Sequence, residues 1–462
     1  DLWFILTQLL DPKGYQIAMN THVAQSTPGD LSTQDTFSEL NFQQITDADQ
    51  LMRLRGDLIK HVPNYNPNNR KIEHTRSLQV FPGSMPVAFS RRDLHSIQTQ
   101  PFYASEKTDG IRYFLFFSNQ NIFFIDRKFD FFQVTQQFQP LLSLWPDALI
   151  DGELIRHLQT GKATFMVFDI LSLNGRVFHQ ENLTDRLEVI RDEIVGPFRK
   201  AIDEGKLSAN QCFTIIGKTF FPKKYIGKIF AQIKKHPQTG KRIYSDPKRS
   251  HHTDGLIFSP DQPYSPKGTR NFFKWKYIDL LSVDFSVKES SQYPDRIEFY
   301  CTGNTNEEVF CRHAQFDPSQ LNKLKEYLRR HAIAVDDDND NDDSSASSST
   351  TTNNHKKKKK GKKKKSVIAE CYYAPSSGQW KFYTIREDKE KPNHISVVID
   401  TLEAIAENVT QEELIYRIPR SPEQDDWNTR FKHALKSLLF VHPQQQQRPQ
   451  HHQVASSSAH PH

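Results

Sequence analysis

Short apolar segments separated by turn residues recur from residue 102 to residue 281, and this spacing limits the possible folds more than any other feature. Apolar runs of roughly four to eight residues bounded by Gly, Pro, Asn or Asp are typical of strands. The predicted strands include 113–117, 121–125, 148–151, 164–170, 213–218 and 255–258. Leu183 to Phe198 and Lys223 to Lys235 have the period of helices. Together they predict an α+β domain built on antiparallel sheets with flanking helices.

A second group of strands follows Lys276 and predicts a smaller C-terminal domain. These strands cover Leu280 to Val287, Arg296 to Tyr300, Val309 to Arg312, Val367 to Tyr373 and Trp380 to Ile385. Such a set resembles a small barrel. The segment 336–366 interrupts it with Asp/Asn repeats, Ser/Thr and polylysine, so we expect this insert to be disordered and to loop out of the barrel.

The remaining segments complete the predicted domain organisation. Helices are expected at Asp47 to His61, Thr401 to Val409 and Asp426 to Leu439, and the Gln/His/Ser tail is of low complexity. The predicted order is an N-terminal extension (1–75), the larger domain (76–281), the smaller domain (282–400), C-terminal helices (401–440) and a disordered tail (441–462). Part of the extension and the C-terminal helices are expected to pack on the domains.

Charge and cysteine usage narrow the classes of function. The chain of 462 residues has a net charge of +6, and the insert supplies nine lysines against six aspartates, or +3 of that total. The rest is mildly basic, which suits a local site for polyphosphate or RNA better than a uniformly basic surface. Four cysteines without Cys-x-x-Cys spacing predict reduced thiols in an intracellular protein, and no zinc site is expected. The apolar stretch Leu2 to Leu10 is too short for a membrane span and is not a signal peptide, so no membrane partner is expected.

Lys107 is the candidate nucleophile. It follows the β-prone run 102–106 and precedes Asp109-Gly110, a turn signal, after which 113–117 forms the next predicted strand. A lysine attacks phosphorus only as the neutral amine, so neighbouring cations and partial burial have to favour that form. Lys-x-Asp-Gly alone is equally compatible with a surface lysine before a turn, and the assignment depends on the motifs that follow.

Five further motifs have the chemical character of a nucleotide site. Arg127 ends a predicted strand, and Asp151-Gly152-Glu153 puts a carboxylate after a predicted turn, suited to a ribose hydroxyl or Mg²⁺. Phe168-Asp169 offers a ring that could stack on a base. Asp254-Gly255 repeats the pattern of carboxylate, turn and strand. Lys274-x-Lys276 sends two ammonium groups to one face of a strand, which is costly without an anion between them.

In this order the motifs resemble the covalent nucleotidyltransferase superfamily of mRNA capping enzymes and DNA and RNA ligases. Two features are similar to the capping branch. One is Phe81-Pro82-Gly83-Ser84, upstream of Lys107. The other is Trp380 followed by Arg386-x-Asp388-Lys389-x-x-Pro392-Asn393. The resemblance covers about 80–400 and implies a nucleotidyltransferase domain joined to an OB-fold domain.

The resemblance implies a GTP:mRNA guanylyltransferase of the monofunctional, fungal type, with GTP as substrate and Mg²⁺ or Mn²⁺ as cofactor. Lys107 would attack the α-phosphate, release pyrophosphate and form lysyl-GMP, and a 5′-diphosphate RNA end would then take the GMP to give GpppRNA. The two steps need the metal to offset charge at phosphorus.

The resemblance also assigns roles to residues by motif. Arg112 and Glu153 would contact the ribose, Arg127 the sugar-phosphate region, Phe168 the guanine face and Lys218 the guanine itself; Lys274 and Lys276 would hold the α-phosphate, and Asp254 would assist the metal or the lysine. Glu153 and Asp254 are the candidate metal ligands. Arg386, Asp388 and Lys389 would grip the β- and γ-phosphates in the first step as the domains close.

The family implies partners as well. No Cys-x₅-Arg phosphatase loop occurs, and 106 residues precede Lys107, so we expect a separate RNA 5′-triphosphatase. The phosphorylated C-terminal repeats of RNA polymerase II are an expected partner and the nucleus is the expected location. The polylysine tract is an import signal, a nonspecific RNA tether or a solvated linker.

Two alternatives remain open from the sequence. An ATP-dependent polynucleotide ligase shares the lysine chemistry and both domains but would use ATP to seal nicks. A non-catalytic adaptor that binds RNA or the polymerase tail would keep the fold without the reaction.

Overall fold

The computed structural model describes residues 37–62, 81–134, 139–208, 213–237, 239–265, 272–340, 367–374, 379–387 and 389–439. This part of the chain is α+β, with three largely antiparallel sheets and flanking helices, as the sequence predicts. None of its helices combines the length and apolar character that crossing a bilayer requires. Residues 341–366 of the insert predicted to be disordered, and the tail 441–462, lie outside the described residues.

The strands are numbered along the chain. They are β1 (Phe42–Gln44), β2 (Val87–Ala88), β3 (Phe102–Thr108), β4 (Ile111–Ser118), β5 (Asn121–Ile125), β6 (Phe131–Val134), β7 (Ala148–Arg156), β8 (Ala163–Leu173), β9 (Arg176–Val177), β10 (Thr214–Gly217), β11 (Phe221–Pro222), β12 (Ile233–Lys235), β13 (Arg242–Asp246), β14 (Arg249–Pro260), β15 (Phe273–Lys276), β16 (Ser282–Glu289), β17 (Arg296–Thr302), β18 (Glu308–Gln315), β19 (Ile368–Ala374) and β20 (Gln379–Ile385).

The helices are numbered in the same way. They are α1 (Ala48–Ile59), α2 (Leu94–Thr99), α3 (Gln139–Leu144), α4 (Leu183–Val189), α5 (Gly196–Asp203), α6 (Ile226–Ala231), α7 (Pro318–Asp340), α8 (Ile395–Glu407), α9 (Gln411–Arg417) and α10 (Trp427–Leu439). A π-helical turn, Ile190–Val195, joins α4 to α5, so the helix predicted from Leu183 to Phe198 is continuous with a local widening.

The first sheet has the strand order β1-β6-β5-β4-β7-β8-β10, with β9 beside β8. Its pairings are antiparallel except that of β8 with β10. Strand β4 is buried on both faces. Tyr113, Leu115 and Phe117 pack into one core, and Phe114 and Phe116 pack into another that also holds Leu54, Leu58 and Ile59 of α1. The Phe-rich runs of the sequence are therefore a central strand and its neighbours.

The second sheet has the order β11-β3-β14-β13-β12, with β15 on β14 and β2 on β15. Its core, which includes Ala104, Leu256, Phe258 and Trp275, is covered by α2, α6 and α9. The chain passes from this sheet into the first one between β3 and β4. The two sheets are thus connected at the segment that carries the predicted nucleophile.

The third sheet forms the C-terminal domain, with the antiparallel order β18-β17-β16-β19-β20. Phe285, Phe299 and Trp380 stack and pack edge to face at the centre of its core, against α7 and α8. The five strands are those that the sequence predicts, and the path of backbone hydrogen bonds through the described residues is open between β18 and β20.

Three predicted boundaries are wrong in part. The helix expected from Lys223 to Lys235 ends at Ala231, because Ile233 to Lys235 pair with β13 as an edge strand. The insert expected to begin at residue 336 begins later, since α7 continues to Asp340. The helix expected at Thr401 to Val409 starts six residues earlier, at Ile395, where His394 caps it, and it ends at Glu407. In each case the sequence pattern gave the element but tertiary pairing or capping set its end.

Candidate active site

Lys107 is the penultimate residue of β3, and the chain crosses from the second sheet to the first just after it. Asp109 and Gly110 make the bend that the sequence predicts, and β4 begins immediately after it. A Cβ on Gly110 would lie 2.7 Å from the carbonyl oxygen of Leu154, so only glycine allows this close approach to β7. The predicted nucleophile is therefore held at the junction of two sheets.

Lys107 is paired with a carboxylate rather than exposed as a surface lysine. Its Nζ donates to Asp254 Oδ2 at 2.9 Å and lies 2.8 Å from Oδ1. Lys276 Nζ lies 2.8 Å from the same Asp254 Oδ2. The Lys107 side chain is 22% exposed and that of Asp254 is 13% exposed. The sequence motifs around residues 107, 254 and 276 thus meet in one contact.

The register of β14 explains how one carboxylate reaches two lysines. Gly255 is directly opposite Lys107 on β3 and directly opposite Lys276 on β15. A bulge falls between Thr253 and Gly255, so Asp254 is the extra residue. A Cβ on Gly255 would lie 1.9 Å from the Trp275 carbonyl oxygen. The prediction of a turn at Asp254-Gly255 is therefore wrong, and the glycine serves close strand packing inside β14.

The turn predicted at Asp151-Gly152 is wrong for the same reason. Both residues lie within β7, a central strand between β4 and β8, at a register irregularity. A Cβ on Gly152 would lie 2.5 Å from the Phe165 ring. Asp-Gly pairs signal turns in isolation, but here glycine permits a bulge and close packing.

The lysine cluster consists of Lys107, Lys274 and Lys276 around Asp254, and burial and mutual charge shift the pKa values of three of these groups. Burial alone would raise the pKa of Asp254, but Lys107 and Lys276 outweigh it and hold this pKa at about 2. Burial likewise opposes the charge of Lys276, yet contact with Asp254 keeps its pKa above the ordinary value. Burial and the charges of Lys276, Lys107 and Arg127 lower the pKa of Lys274 to about 7. The site therefore holds an ionised carboxylate and a lysine that is about half neutral at neutral pH.

Arg112 is held by a buried carboxylate. Its Nε and Nη2 donate to Asp151 Oδ1 and Oδ2 at 3.0 and 2.6 Å, and its Nη1 donates to the Ser84 carbonyl. Tyr264 donates to the same Asp151 at 2.9 Å. The guanidinium carbon lies 5.3 Å from the centre of the Phe168 ring. Asp151, which is fully buried, thus orients Arg112 under the predicted base-stacking ring and is not available to a ribose or a metal.

The Ser84 contact explains the upstream motif. Gly83 of Phe81-Pro82-Gly83-Ser84 packs on Phe81 and Arg112, and the Phe81 ring centre lies 5.4 Å from the Arg112 guanidinium carbon. Tyr264 accepts a hydrogen bond from the Ser84 backbone at 2.8 Å. This segment therefore forms part of the support for Arg112.

Lys218 follows β10 and joins a buried polar network. Its backbone donates to the Val167 carbonyl, next to Phe168, and its Nζ donates to Thr108 Oγ1 and lies 3.4 Å from Glu106 Oε1. His251 Nε2 lies 3.2 Å from the same oxygen. Burial would raise the pKa of Glu106, but Lys218 and His251 outweigh it and lower this pKa. Lys218 is thus fixed beside both the nucleophile strand and the Phe168 strand.

Glu153 and Asp254 are the predicted metal ligands. Glu153 is directly opposite Arg112 in the sheet, and its Oε1 lies 3.3 Å from the Gly110 backbone nitrogen. The oxygens of Asp254 face two lysines. Among the described residues no three His, Cys, Asp or Glu side chains cluster as a metal site. This donor set fits an ion bound mainly through substrate phosphates with one or two protein carboxylates, as Mg²⁺ commonly is, and not a site made by protein ligands alone.

Two of the three predicted residues of the C-terminal domain are described. Arg386 and Lys389 follow β20 and contact Asp284 of β16, and Arg386 Nη1 also lies 3.6 Å from Glu370 Oε2. The charge of Glu370 contributes to the raised pKa of Lys276 after burial and Asp254. Arg386 therefore contacts a carboxylate whose charge reaches Lys276. Asp388 lies outside the described residues.

Several site residues escaped the sequence reasoning. Glu106 and Thr108 contact Lys218, and Asp284 contacts Arg386 and Lys389. His251 and Tyr264 act one contact further away, through Glu106 and Asp151. Glu106 and Thr108 flank Lys107, so strand alternation was a usable signal for them. Asp284 and Tyr264 gave no local signal, because their partners are remote in sequence.

A lysine nitrogen held by a carboxylate among further cations is suited to bind a nucleotide phosphate, with the lysine as the candidate nucleophile. The fold and the site together define a nucleotidyltransferase.

Family models identify the class more narrowly. The model for the mRNA capping enzyme catalytic domain matches residues 42–278, and the model for the mRNA capping enzyme C-terminal domain matches residues 281–415. The chain belongs to the mRNA capping enzyme family. It is accordingly a guanylyltransferase, whose family uses GTP and acts on RNA.

Relatives agree with this assignment. The mRNA-capping enzyme subunit alpha of Schizosaccharomyces pombe is 26% identical over 375 residues, covering 74% of this chain and 81% of that protein. The protein of the same name from Saccharomyces cerevisiae is 28% identical over 385 residues, covering 73% and 78%. The mRNA-capping enzyme of Mus musculus is 30% identical over 227 residues, covering 45% of this chain and 34% of that protein. A solved mycobacterial DNA ligase D with ATP aligns with 67% of this chain and 95% of that chain at 14% identity, with a TM-score of 0.31, which is too low to support an argument.

Proposed function

We propose that this protein transfers GMP from GTP to the 5′-diphosphate end of RNA through a covalent intermediate on Lys107, producing GpppRNA. The observation that carries the proposal is the contact of Lys107 Nζ with Asp254 Oδ2 at 2.9 Å, with Lys276 on the same carboxylate. A single carboxylate between two amines fixes the nucleophile and leaves the region rich in donors for phosphate oxygens.

In the first step Lys107 Nζ attacks the α-phosphorus of GTP as a neutral amine. A phosphorus–nitrogen bond forms, the nitrogen gives up a proton, and the bond to the β-phosphate oxygen breaks to release pyrophosphate. Asp254 accepts a hydrogen bond from the nitrogen and so orients it. Lys274 and Lys276 hold the α-phosphate, where their charge offsets the charge that develops on its oxygens.

In the second step the terminal phosphate of the RNA 5′-diphosphate attacks the same phosphorus. The phosphorus–nitrogen bond breaks, Lys107 leaves as the amine and takes up a proton, and the RNA carries GMP in a 5′–5′ triphosphate link. Lys274 and Lys276 act again, because the transferred group is the same.

The remaining contacts of the nucleotide follow from the positions of the side chains. Phe168, with Arg112 behind it, offers a ring face to the guanine, and Lys218 beside it offers a donor to an acceptor on the base. Glu153 accepts from the ribose, and Arg127, close enough to Lys274 to lower its pKa, contacts the sugar-phosphate region. Arg386, Asp388 and Lys389 engage the β- and γ-phosphates from the C-terminal domain.

A divalent metal ion, Mg²⁺ or Mn²⁺, completes the proposal. Glu153 and Asp254 are the carboxylates that would hold it together with substrate phosphates, and when bound it neutralises charge on the triphosphate. The protein supplies the lysine, its orientation and the surrounding cations.

The proposed cellular context is co-transcriptional capping in the nucleus. The RNA end would come from a separate RNA 5′-triphosphatase, and the phosphorylated C-terminal domain of RNA polymerase II would recruit the enzyme. The family membership and the match to fungal subunits named alpha support these partners.

Incubation with α-³²P-labelled GTP or ATP and Mg²⁺ or Mn²⁺, followed by denaturing electrophoresis, tests the proposal. We expect acid-labile, alkali-stable label from GTP alone in the wild type, none in Lys107→Ala, and normal label in Lys200→Ala, an exposed lysine of the same domain. Label from ATP alone would assign the protein to the ligases. No label from either nucleotide in the folded protein would overturn catalysis and favour the adaptor.

A further inference from the structure

The carboxylate of Asp284 is surrounded by residues of the C-terminal motif. Arg386 Nη1 lies 3.2 and 3.4 Å from its two oxygens, Lys389 Nζ contacts Oδ2, and Asn393 Nδ2 lies 3.4 Å from Oδ2. The Asp284 side chain is 8% exposed and that of Lys389 is 6% exposed. One buried carboxylate thus gathers the two described cations of the motif.

Backbone contacts fix this arrangement from both sides. The Asp284 backbone nitrogen donates to Asn393 Oδ1 at 2.9 Å, and the Asn393 nitrogen donates to the Asp284 carbonyl at 2.8 Å. The Arg386 nitrogen donates to Ile368 on the neighbouring strand at 2.8 Å. Arg386 and Asn393 are therefore each held by the backbone of the third sheet, Asn393 directly on residue 284. Such a contact differs from a surface ion pair, in which two flexible side chains meet in water.

The cluster is close to the lysine site. Glu370 is directly opposite Asp284 in the sheet and lies 3.6 Å from Arg386 Nη1. Its charge also acts on Lys276 of the second sheet. Arg386 therefore contacts a carboxylate whose charge reaches Lys276, one of the two amines proposed to hold the α-phosphate.

We propose that Asp284 is the positioning residue that holds Arg386 and Lys389 in the orientation in which they engage the β- and γ-phosphates of GTP. The inference rests on the proposed roles of those two cations. Asp284 is buried and its carboxylate contacts both cations, so it acts through them. Its effect is confined to steps in which a β,γ-diphosphate is present, which are formation of lysyl-GMP and the reverse reaction with pyrophosphate.

Because the expected effect is confined to these steps, measuring each step separately distinguishes positioning by Asp284 from a purely structural role. In Asp284→Asn we measure the single-turnover rate of lysyl-GMP formation at varied GTP, the rate of its reversal by pyrophosphate, and the rate of GMP transfer from isolated enzyme–GMP to 5′-diphosphate RNA. We expect the first two rates to fall by about 100-fold, the scale of a small misplacement of reacting groups. The third should stay within about twofold of wild type.

Two further variants make the result interpretable. Glu326→Gln removes a carboxylate from an exposed ion pair on α7 of the same domain and should leave all three rates unchanged. Asp284→Glu keeps the charge but shifts it by one methylene, and we expect the same step-selective loss of the first two rates, smaller in size. This variant replaces Asp284→Asn if the asparagine variant does not fold. Circular dichroism and thermal unfolding establish folding for each.

The outcomes separate this inference from the proposed function. An equal fall in all three rates, or no fall in the first two, would overturn the positioning role of Asp284 while the wild type still forms lysyl-GMP. A wild type that forms no lysyl-GMP from GTP would overturn the proposed function itself.

Discussion

Lys107 and Lys276 lie directly opposite the same residue, Gly255, from the two strands that flank β14, and both amines contact the carboxylate of Asp254. Glycine at this position allows the backbone of β15 to approach β14 closely, and the bulge brings the carboxylate within reach. The contact of both lysines with one carboxylate is thus a consequence of strand register. The charge balance of the cluster depends on Asp254.

Asp254→Asn tests that dependence. The amide keeps the shape of the side chain but removes the charge between two ammonium groups, so the orientation of Lys107 and the charge balance of the cluster are both lost. We expect the rate of lysyl-GMP formation to fall by about 10²–10³, the range found for removal of one preorganised electrostatic partner. Single-turnover labelling with α-³²P-GTP measures it.

The matched control is Asp279→Asn, which removes a half-exposed carboxylate paired with Arg242 outside the site. Labelling by this variant should equal that of wild type. A fully active Asp254→Asn enzyme would show that the contact in the free protein is not part of the reaction.

Binding of GTP should take up a proton at Lys274. Burial and its neighbouring cations hold the pKa of Lys274 at about 7 in the free protein, and phosphate oxygens favour its charged form, so this pKa rises in the complex. Above pH 7 the neutral amine predominates before binding, and affinity should fall by up to about tenfold per pH unit. Calorimetry with α,β-methylene-GTP, which cannot release pyrophosphate, measures proton uptake at pH 8 in two buffers of different ionisation enthalpy.

Lys274→Met should bind the analogue more weakly, without that uptake. Equal proton uptake by the variant and the wild type would assign the proton to another group.

Gly255→Ala should destabilise the second sheet. The added Cβ would lie 1.9 Å from the Trp275 carbonyl oxygen, a backbone atom that cannot rotate away. We expect a loss of about 3 kcal/mol or more in the free energy of unfolding, the range of severe packing changes. Gly56→Ala is the control, since nothing lies within 4 Å of its Cβ and it is inside α1. There alanine should stabilise the helix by up to about 1 kcal/mol. Urea unfolding followed by circular dichroism compares the two, and a Gly255→Ala protein as stable as wild type would contradict the packing argument.

Glu106→Gln should lower the free energy of unfolding, because it removes the counter-charge of the buried Lys218. The Glu106 side chain is 1% exposed and that of Lys218 is 5% exposed, so removing the carboxylate leaves a buried cation without its counter-charge. Breaking a buried pair in this way costs about 3–5 kcal/mol of unfolding free energy. Chemical denaturation measures this loss. Glu204→Gln, which breaks a surface pair with Lys206, should have no measurable effect. Two variants of equal stability would show that Lys218 is compensated elsewhere.

Local patterns determined much of this protein from sequence. The Phe-rich strands around β4, the bend at Asp109-Gly110 and the position of Lys107 at a strand end follow from apolar period and turn chemistry, which act over a few residues. The order of the motifs indicated the family that the domain models match.

Only the tertiary structure decided which charges meet. Asp254 and Lys107 are 147 positions apart, Asp151 and Arg112 are 39 apart, and Asp284 and Arg386 are 102 apart. Whether an Asp-Gly pair makes a turn or a bulge within a strand depends on the strands beside it, and a buried carboxylate requires a partner that strand register supplies. The sequence by itself therefore determined most of the elements and the position of the proposed nucleophile at a strand end. The pairing of sheets decided which side chains hold it, because the energy of a buried charge depends on neighbours that are distant along the chain.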